Sequence, residues 1–229
     1  MWQALREELY PKGLEVVTVA LELRGAREAG RWIEPATPRH PSLIDQGHLM
    51  DELFGVVNVP SGIWIDESGT IVRPAEPAYP ARPRFQRGEV PGYYDDPRLR
   101  EVLAEARKIR VEPEKYVAAL RDWIEKGAES RFPLRSEEVL ARSAARPPEA
   151  ARAAAHFELG QHLHRSGHPE DAAPHFRAAH RLQPENWTYK RQAWSLVDRA
   201  QGPSEVYEGD WLSEVRRVGA ENYYPPLDM

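Results

Sequence analysis

Phe54–Arg73, FGVVNVPSGIWIDESGTIVR, is the stretch on which the fold turns. Ile63–Asp66 and Thr70–Arg73 are two short strand-forming runs separated by Glu67, Ser68 and Gly69, and Gly69 is free to take positive φ. The pattern predicts a β-hairpin. Pro60 stands at the entrance to its first strand, where a missing N–H costs the ladder nothing. The residues alone favour a trans Val59–Pro60 bond, because only about 5–6% of X-Pro bonds in folded proteins are cis.

Upstream, Leu14–Leu21 (LEVVTVAL) is a nearly continuous aliphatic and β-branched run, the pattern of a strand covered on both faces in a parallel sheet. Gly25–Glu34 reads as a helix with Ala26, Ala29 and Ile33 on one side, Pro41–Asp45 as a second short strand and Gly47–Phe54 as a second helix. Met1–Tyr10 carries Trp2, Leu5 and Leu9 at helical spacing and is stopped by Pro11 and Gly13. Strand and helix alternating before a terminal hairpin imply an α/β domain with a mixed sheet over residues 1–74.

Downstream, Pro74–Pro97 holds six prolines in 24 residues, with Tyr79, Phe85, Tyr93 and Tyr94 among them. Residues 75–97 therefore read as an extended connector wrapped over the first domain by its aromatics. A helical connector over 98–146 follows, built from Leu99–Ile109, Pro113–Lys126 (Tyr116, Val117, Leu120 and Ile124 on one face) and Ser136–Arg142. Pro147 and Pro148 mark a boundary. Residues 147–200 form a repeat unit and a following helix, and 201–229 a tail.

The composition excludes several classes. With no cysteine among 229 residues there is no disulfide framework, thiolate metal site or catalytic thiol. Leu, Ile, Val and Phe make up about a fifth of the chain, and the net charge is only -5, so compact parts joined by polar, Pro-rich segments are expected. Thirty-one basic residues are mixed among 36 acidic ones, a solvated surface and not a nucleic-acid footprint. No apolar run approaches the ~18 residues that span a bilayer, so no membrane partner is expected. The first 30 residues carry charges throughout, unlike a signal peptide, which makes a cytoplasmic location the expectation. The common phosphate, dinucleotide, serine-hydrolase and zincin signatures are absent, and no cofactor is expected.

Two clusters carry chemistry-bearing side chains. Six of the eight histidines lie between 156 and 180, and His162, His164, His168 and His175 are the candidates for metal ligands. His162 and His164 point to different sides of one helix, so surface histidines and no metal are expected. Asp45, His48 and Asp51 follow a strand, where acid and base groups could gather. The simpler reading has them capping and solubilising the next helix, with Asp45 as the capping residue.

Residues 153–186 resemble a tetratricopeptide repeat of about 34 residues: Leu159-Gly160, Ala172, Phe176, Ala179 and Pro184 fall on the pattern, with His156 at the Trp position and Leu163 at the Tyr position. Gly160 and Ala172 would let two helices approach. Leu159, Leu163, Phe176 and Ala179 would form their seam, and Gly167 with His168-Pro169 the turn. Trp187–Arg199 would be the next helix. Gln161, His164 and Arg165 are the candidates to face a bound peptide. A single repeat cannot bury its own face, so packing against the rest of the chain is the expected role.

Residues 14–73 resemble the thioredoxin-like redoxins, especially the ResA/TlpA-type thiol-disulfide oxidoreductases. The resemblance lies in the order of the strand LEVVTVAL, a helix, the strand PSLID, a helix ending in FGV, and VPSGIWIDESGTIVR, and covers about 70 residues. It implies a cis Val59–Pro60 bond, with Val59 and Pro60 as the place where an extended substrate pairs. The expected fold is thus α/β, an incomplete thioredoxin-like mixed sheet followed by an all-α tetratricopeptide-like helical region. In that family a central strand and a Cys-x-x-Cys motif precede the first helix, and neither is found here. The expectation is a 5′-truncated reading frame of a thiol-disulfide or selenol oxidoreductase, a recoded selenocysteine codon being one cause. Such a chain would be inactive as given, with protein or peptide thiols and disulfides as its partners. The alternatives are a non-catalytic thioredoxin-like and tetratricopeptide interaction scaffold, and a helical half that only covers the open sheet or joins two copies.

Overall fold

Four short strands form two separate two-stranded sheets in the computed structural model, which describes residues 1–88, 96–143 and 145–229. β1 (Thr18–Leu21) runs parallel to β2 (Ser42–Asp45), in register from Thr18 opposite Ser42 to Leu21 opposite Asp45. β3 (Ser61–Ile65) runs antiparallel to β4 (Ile71–Pro77). α1 (Trp2–Leu9) precedes β1, α2 (Ala26–Ala36) crosses from β1 to β2, and α3 (Leu49–Phe54) leads towards β3. Among the described residues, each of the four strands keeps one edge without a strand partner.

The open edge of β1 corrects one expectation. The strand expected over Leu14–Leu21 is confined to Thr18–Leu21, and its residues are only half-buried, with Val17 exposed. A parallel strand is buried on both faces only inside a wider, helix-covered sheet. In α2 the side expected to carry Ala26, Ala29 and Ile33 is covered only in part: Ala29 is buried beside Glu28 and Gly30, Ile33 is half-buried and Ala26 is exposed, while Trp32 is 81% exposed.

The hairpin turn forms as predicted. Asp66 Oδ1 accepts from the Ser68 N–H, the Ser68 hydroxyl and the Thr70 N–H, and Gly69 has φ +83°. β4, however, continues past residue 74 to Pro77. Prolines are tolerated there because β4 is an edge strand.

The hairpin packs on α1 and on α5 (Pro113–Lys126) through Leu5, Leu9, Trp64, Ala78, Tyr116 and Leu120. Trp64 Nε1 donates to Tyr116 Oη at 3.0 Å, and its ring stacks on Trp123 at 4.9 Å. Gly62 is required by this contact: a Cβ there would stand 2.6 Å from Tyr116 Oη and 2.8 Å from Ala78 Cβ.

The helical half comprises α4 (Pro97–Ala106), α6 (Ser136–Ser143), α7 (Pro148–Arg165), α8 (Pro169–Leu182), α9 (Trp187–Val197) and α10 (Trp211–Val218). Pro113, Pro148 and Pro169 each open a helix, where the missing N–H would be unpaired anyway. α7 and α8 close on each other over Ala153, Phe157, Ala172, Phe176 and Ala179. Gly160 admits the Phe176 ring, which would lie 3.0 Å from an added Cβ. Leu159 was expected in this seam but is 43% exposed, and Phe157, two residues earlier, takes the buried place. Leu163 is half-buried against the same core.

Tyr79 and Phe85 pack on this helical core, while Tyr93 and Tyr94 lie outside the described residues. Residues 201–229 are not a loose tail. Asp210 and Ser213 form a capping box on α10, and Tyr223, Tyr224 and Leu227 are buried.

Two predictions follow from this packing. Gly62→Ala forces Tyr116 and Ala78 apart and is expected to cost about 1–3 kcal/mol in urea unfolding; an unchanged midpoint would contradict the contact. His180 on α8 has a buried Nε2 with no partner, and burial lowers its pKa to about 4 from the usual 6.5. Its neutral form is native and the unfolded chain binds the proton more readily, so stability is complete above pH 6.5 and falls as pH drops towards 4. The loss is expected to reach at most roughly 3 kcal/mol, and His180→Phe should flatten that slope in pH-dependent thermal melts.

Candidate functional site

The loop between α3 and β3 brings two sets of groups to the ends of the strands. Its first part is held by α9: the Trp187 N–H donates to Val57 O at 2.6 Å, giving an otherwise unpaired helix-start donor a partner. Asn58 is buried and uses its whole amide. Its Nδ2 donates to Tyr223 O at 3.0 Å and its Oδ1 accepts the Val59 N–H at 2.9 Å. Ser61 Oγ donates to Asn58 O, and Ala78 N to Pro60 O.

The Val59–Pro60 bond is cis. Val59 O accepts the Tyr224 hydroxyl at 2.6 Å, and Tyr224 Oη in turn accepts from Tyr79 Oη at 3.0 Å. Burial pushes the Tyr79 phenol up to about 12 and, with the neighbouring tyrosines, raises Tyr224 further, so both stay neutral donors. Both backbone polar groups of Val59 are therefore occupied from within the chain.

Behind this loop lies a second, fully buried set. His48 Nδ1 faces Asp51 Oδ2 at 3.2 Å, and Thr188 Oγ1 donates to the same oxygen at 2.8 Å. His48 Nε2 lies 3.0 Å from Gln192 Oε1, which the Leu23 N–H fixes as an acceptor at 2.9 Å. Both ring nitrogens thus lie within hydrogen-bond distance of side-chain oxygens. Asp51 Oδ1 has no partner.

Of the Asp45, His48 and Asp51 cluster noted in the sequence, only Asp45 behaves as expected. It accepts the N–H groups of Gly47 and Met50 at the start of α3. His48 and Asp51 do not solubilise the helix; they are interior groups. Nothing local in the sequence marks Thr188, Gln192 or Tyr224, whose partners Asp51, His48 and Val59 lie 137, 144 and 165 positions away.

The residues expected to face a peptide do not form a groove. Gln161 is 0% exposed, buried on α7 where a groove residue would be open, and this corrects its assignment. His164 is half-buried and its pKa is lowered by burial and by Arg24, while Arg165 Nη1 donates to Gln46 O at 3.2 Å. Both lean on the α/β half.

The histidines weighed as ligands are not gathered: His162 and His168 are exposed, and the close pair is His156 with His175, Nδ1 to Nδ1 at 2.9 Å. Among the described residues no three His, Cys, Asp or Glu side chains are grouped to hold a metal ion. Nor is any described helix long and apolar enough to cross a membrane.

No protein-family model, curated protein or solved structure matches this chain.

The clamp on Val59 is directly testable. Tyr224→Phe leaves Val59 O without its donor and is expected to lower stability by about 1–3 kcal/mol. Tyr207→Phe, whose ring is buried in the helical core, serves as the control. Equal unfolding midpoints for Tyr224→Phe and the parent would show that the hydroxyl contributes nothing.

Proposed function

We propose that the α/β half is the cis-proline part of a thioredoxin-like thiol-disulfide or selenol oxidoreductase, joined to a tetratricopeptide-like helical unit that braces it. The observation that carries this reading is the pair of separate two-stranded sheets, in which each of the four strands keeps an unpaired edge, with the cis Val59–Pro60 bond at the head of β3. One extended segment lying between the β1 and β3 edges would complete a mixed sheet in the order β2-β1-inserted strand-β3-β4. Open strand edges beside apolar surface are otherwise covered or blunted in folded proteins.

In this reading the 229 residues supply position and not the nucleophile, since they contain no cysteine. The nucleophile would enter with the inserted strand, at the start of α1, where a helix N-terminus favours a thiolate or selenolate. Val59 would offer its backbone to an extended thiol or disulfide substrate once Tyr224 releases its carbonyl. The alternative of a peptide-binding scaffold gains no support, because Gln161 is buried and His164 and Arg165 are turned to the chain's own α/β half.

The test has two arms. The chain alone is expected to show no insulin-disulfide reduction and no peroxide turnover, and turnover by this cysteine-free polypeptide would overturn the proposal. A version carrying an added strand and Cys-x-x-Cys ahead of Trp2 is expected to protect the β1 and β3 amides from hydrogen exchange and to gain insulin reduction. If it folds yet gains neither, the reading fails.

A further inference from the structure

His156 lies one helical turn before Gly160 on α7, and His175 stands next to Phe176 on α8. The Phe176 ring seated against Gly160, together with Ala153, Phe157, Ala172 and Ala179, fixes how closely the two helices run. That packing brings the two imidazoles together from 19 positions apart, Nδ1 to Nδ1 at 2.9 Å, with both residues half-buried. Among the described residues neither ring has another hydrogen-bond or ion-pair partner, and neither Nε2 is sealed from solvent.

Two nitrogens at this distance need something between them. Either one Nδ1 carries a proton and donates it to the other, or both rings take the Nε2–H form and two lone pairs face each other. A metal ion satisfies the second arrangement. Two metal–nitrogen bonds of about 2.0–2.1 Å meeting at about 90–110° hold their nitrogens about 2.9–3.4 Å apart, so the observed 2.9 Å asks for no movement of either helix. The ring centroids lie 5.2 Å apart, so the two nitrogens point almost directly at one another. Each ring turns about χ2, a soft torsion in histidine, to aim its lone pair at an ion beside the line joining them.

The donor set selects the ion. No third His, Cys, Asp or Glu is grouped with the pair among the described residues, so water fills the remaining positions. Imidazole nitrogen suits Cu²⁺, Ni²⁺ and Zn²⁺, whereas Mg²⁺ and Ca²⁺ take oxygen ligands. We infer that His156 and His175 form a two-histidine binding site for a divalent first-row transition ion, held through both Nδ1 atoms and tying α7 to α8. The proton of the N–H···N bond passes to Nε2 of the same ring, where it faces solvent, so a neutral pair takes up the ion without releasing a proton.

Isothermal titration of the whole chain with zinc chloride near neutral pH is expected to show one site with Kd of about 1–200 µM, the range left when two of the four ligands of a structural zinc site are present. Copper(II) chloride is expected to bind more tightly and magnesium chloride not at all. His156→Gln and His175→Gln should each weaken zinc at least about tenfold, while the double substitution His162→Gln with His168→Gln leaves it unchanged. The copper-loaded parent chain reports on the site without any substitution: its electron paramagnetic resonance spectrum should carry the splitting of two nitrogen donors. No zinc site in that range or tighter, magnesium binding as tightly as zinc, or zinc affinity unchanged in either single variant would each overturn the assignment. So would a copper spectrum showing one nitrogen donor or none.

Discussion

A sheet of two strands does not bury enough surface to stand by itself in water, and this chain contains two of them. Each is held by helices far away in sequence. The β3–β4 hairpin rests on α1 and α5 through Trp64 and Tyr116, and on the last residues of the chain through Leu227. The β1–β2 pair is held from its end by α9, where Gln192 accepts the Leu23 N–H and Ser195 O accepts from Arg24. The helical half is therefore a structural requirement of the α/β half, whatever else it does.

The joints between the halves are polar and buried, which makes them specific before it makes them strong. Arg73 is 2% exposed and spends its guanidinium on Glu76, on Phe132 O and on Asp228 O, with Trp64 beneath it. Burying that charge is costly, and the pairing repays the cost only in one geometry. That geometry fixes β4, the loop after α5 and the end of the chain together. The His48–Asp51–Thr188–Gln192 set acts alike for α3 and α9, linking residues 137 to 169 positions apart with the Leu23 amide included.

Those separations explain what was legible in the sequence. The Asp66–Gly69 turn, the α5 boundaries and the Gly160–Phe176 approach depend on neighbours in sequence or on one helix hairpin, and periodicity and turn chemistry exposed them. Leu159 and Phe157 show the limit. Both are apolar on α7, and which of them is buried is set by α9, since the Phe157 ring stacks on Tyr189. The unpaired edge of β1 was equally out of reach, because an aliphatic run such as LEVVTVAL does not say how many neighbours its strand will have. Residues 201–229 read as a tail for the same reason: Tyr223 and Tyr224 bond to Asn58 and Val59 in the loop before β3, and Leu227 to Lys115 on α5.

The placement of that last segment bears on the proposed redox reading. Tyr224 reaches Val59 O from a stretch pinned on both sides, by Asn58 to Tyr223 O before it and by Lys115 to Leu227 O after it. An extended substrate pairing with Val59 would have to replace a part-buried hydrogen bond whose donor, Tyr224, itself accepts from Tyr79. Replacing like with like in such a place is close to neutral, whereas removing the hydroxyl without a substitute leaves a part-buried acceptor without its donor. The segment thus behaves as a competitor for the Val59 edge, and only a partner that brings its own N–H to that carbonyl can displace it without penalty.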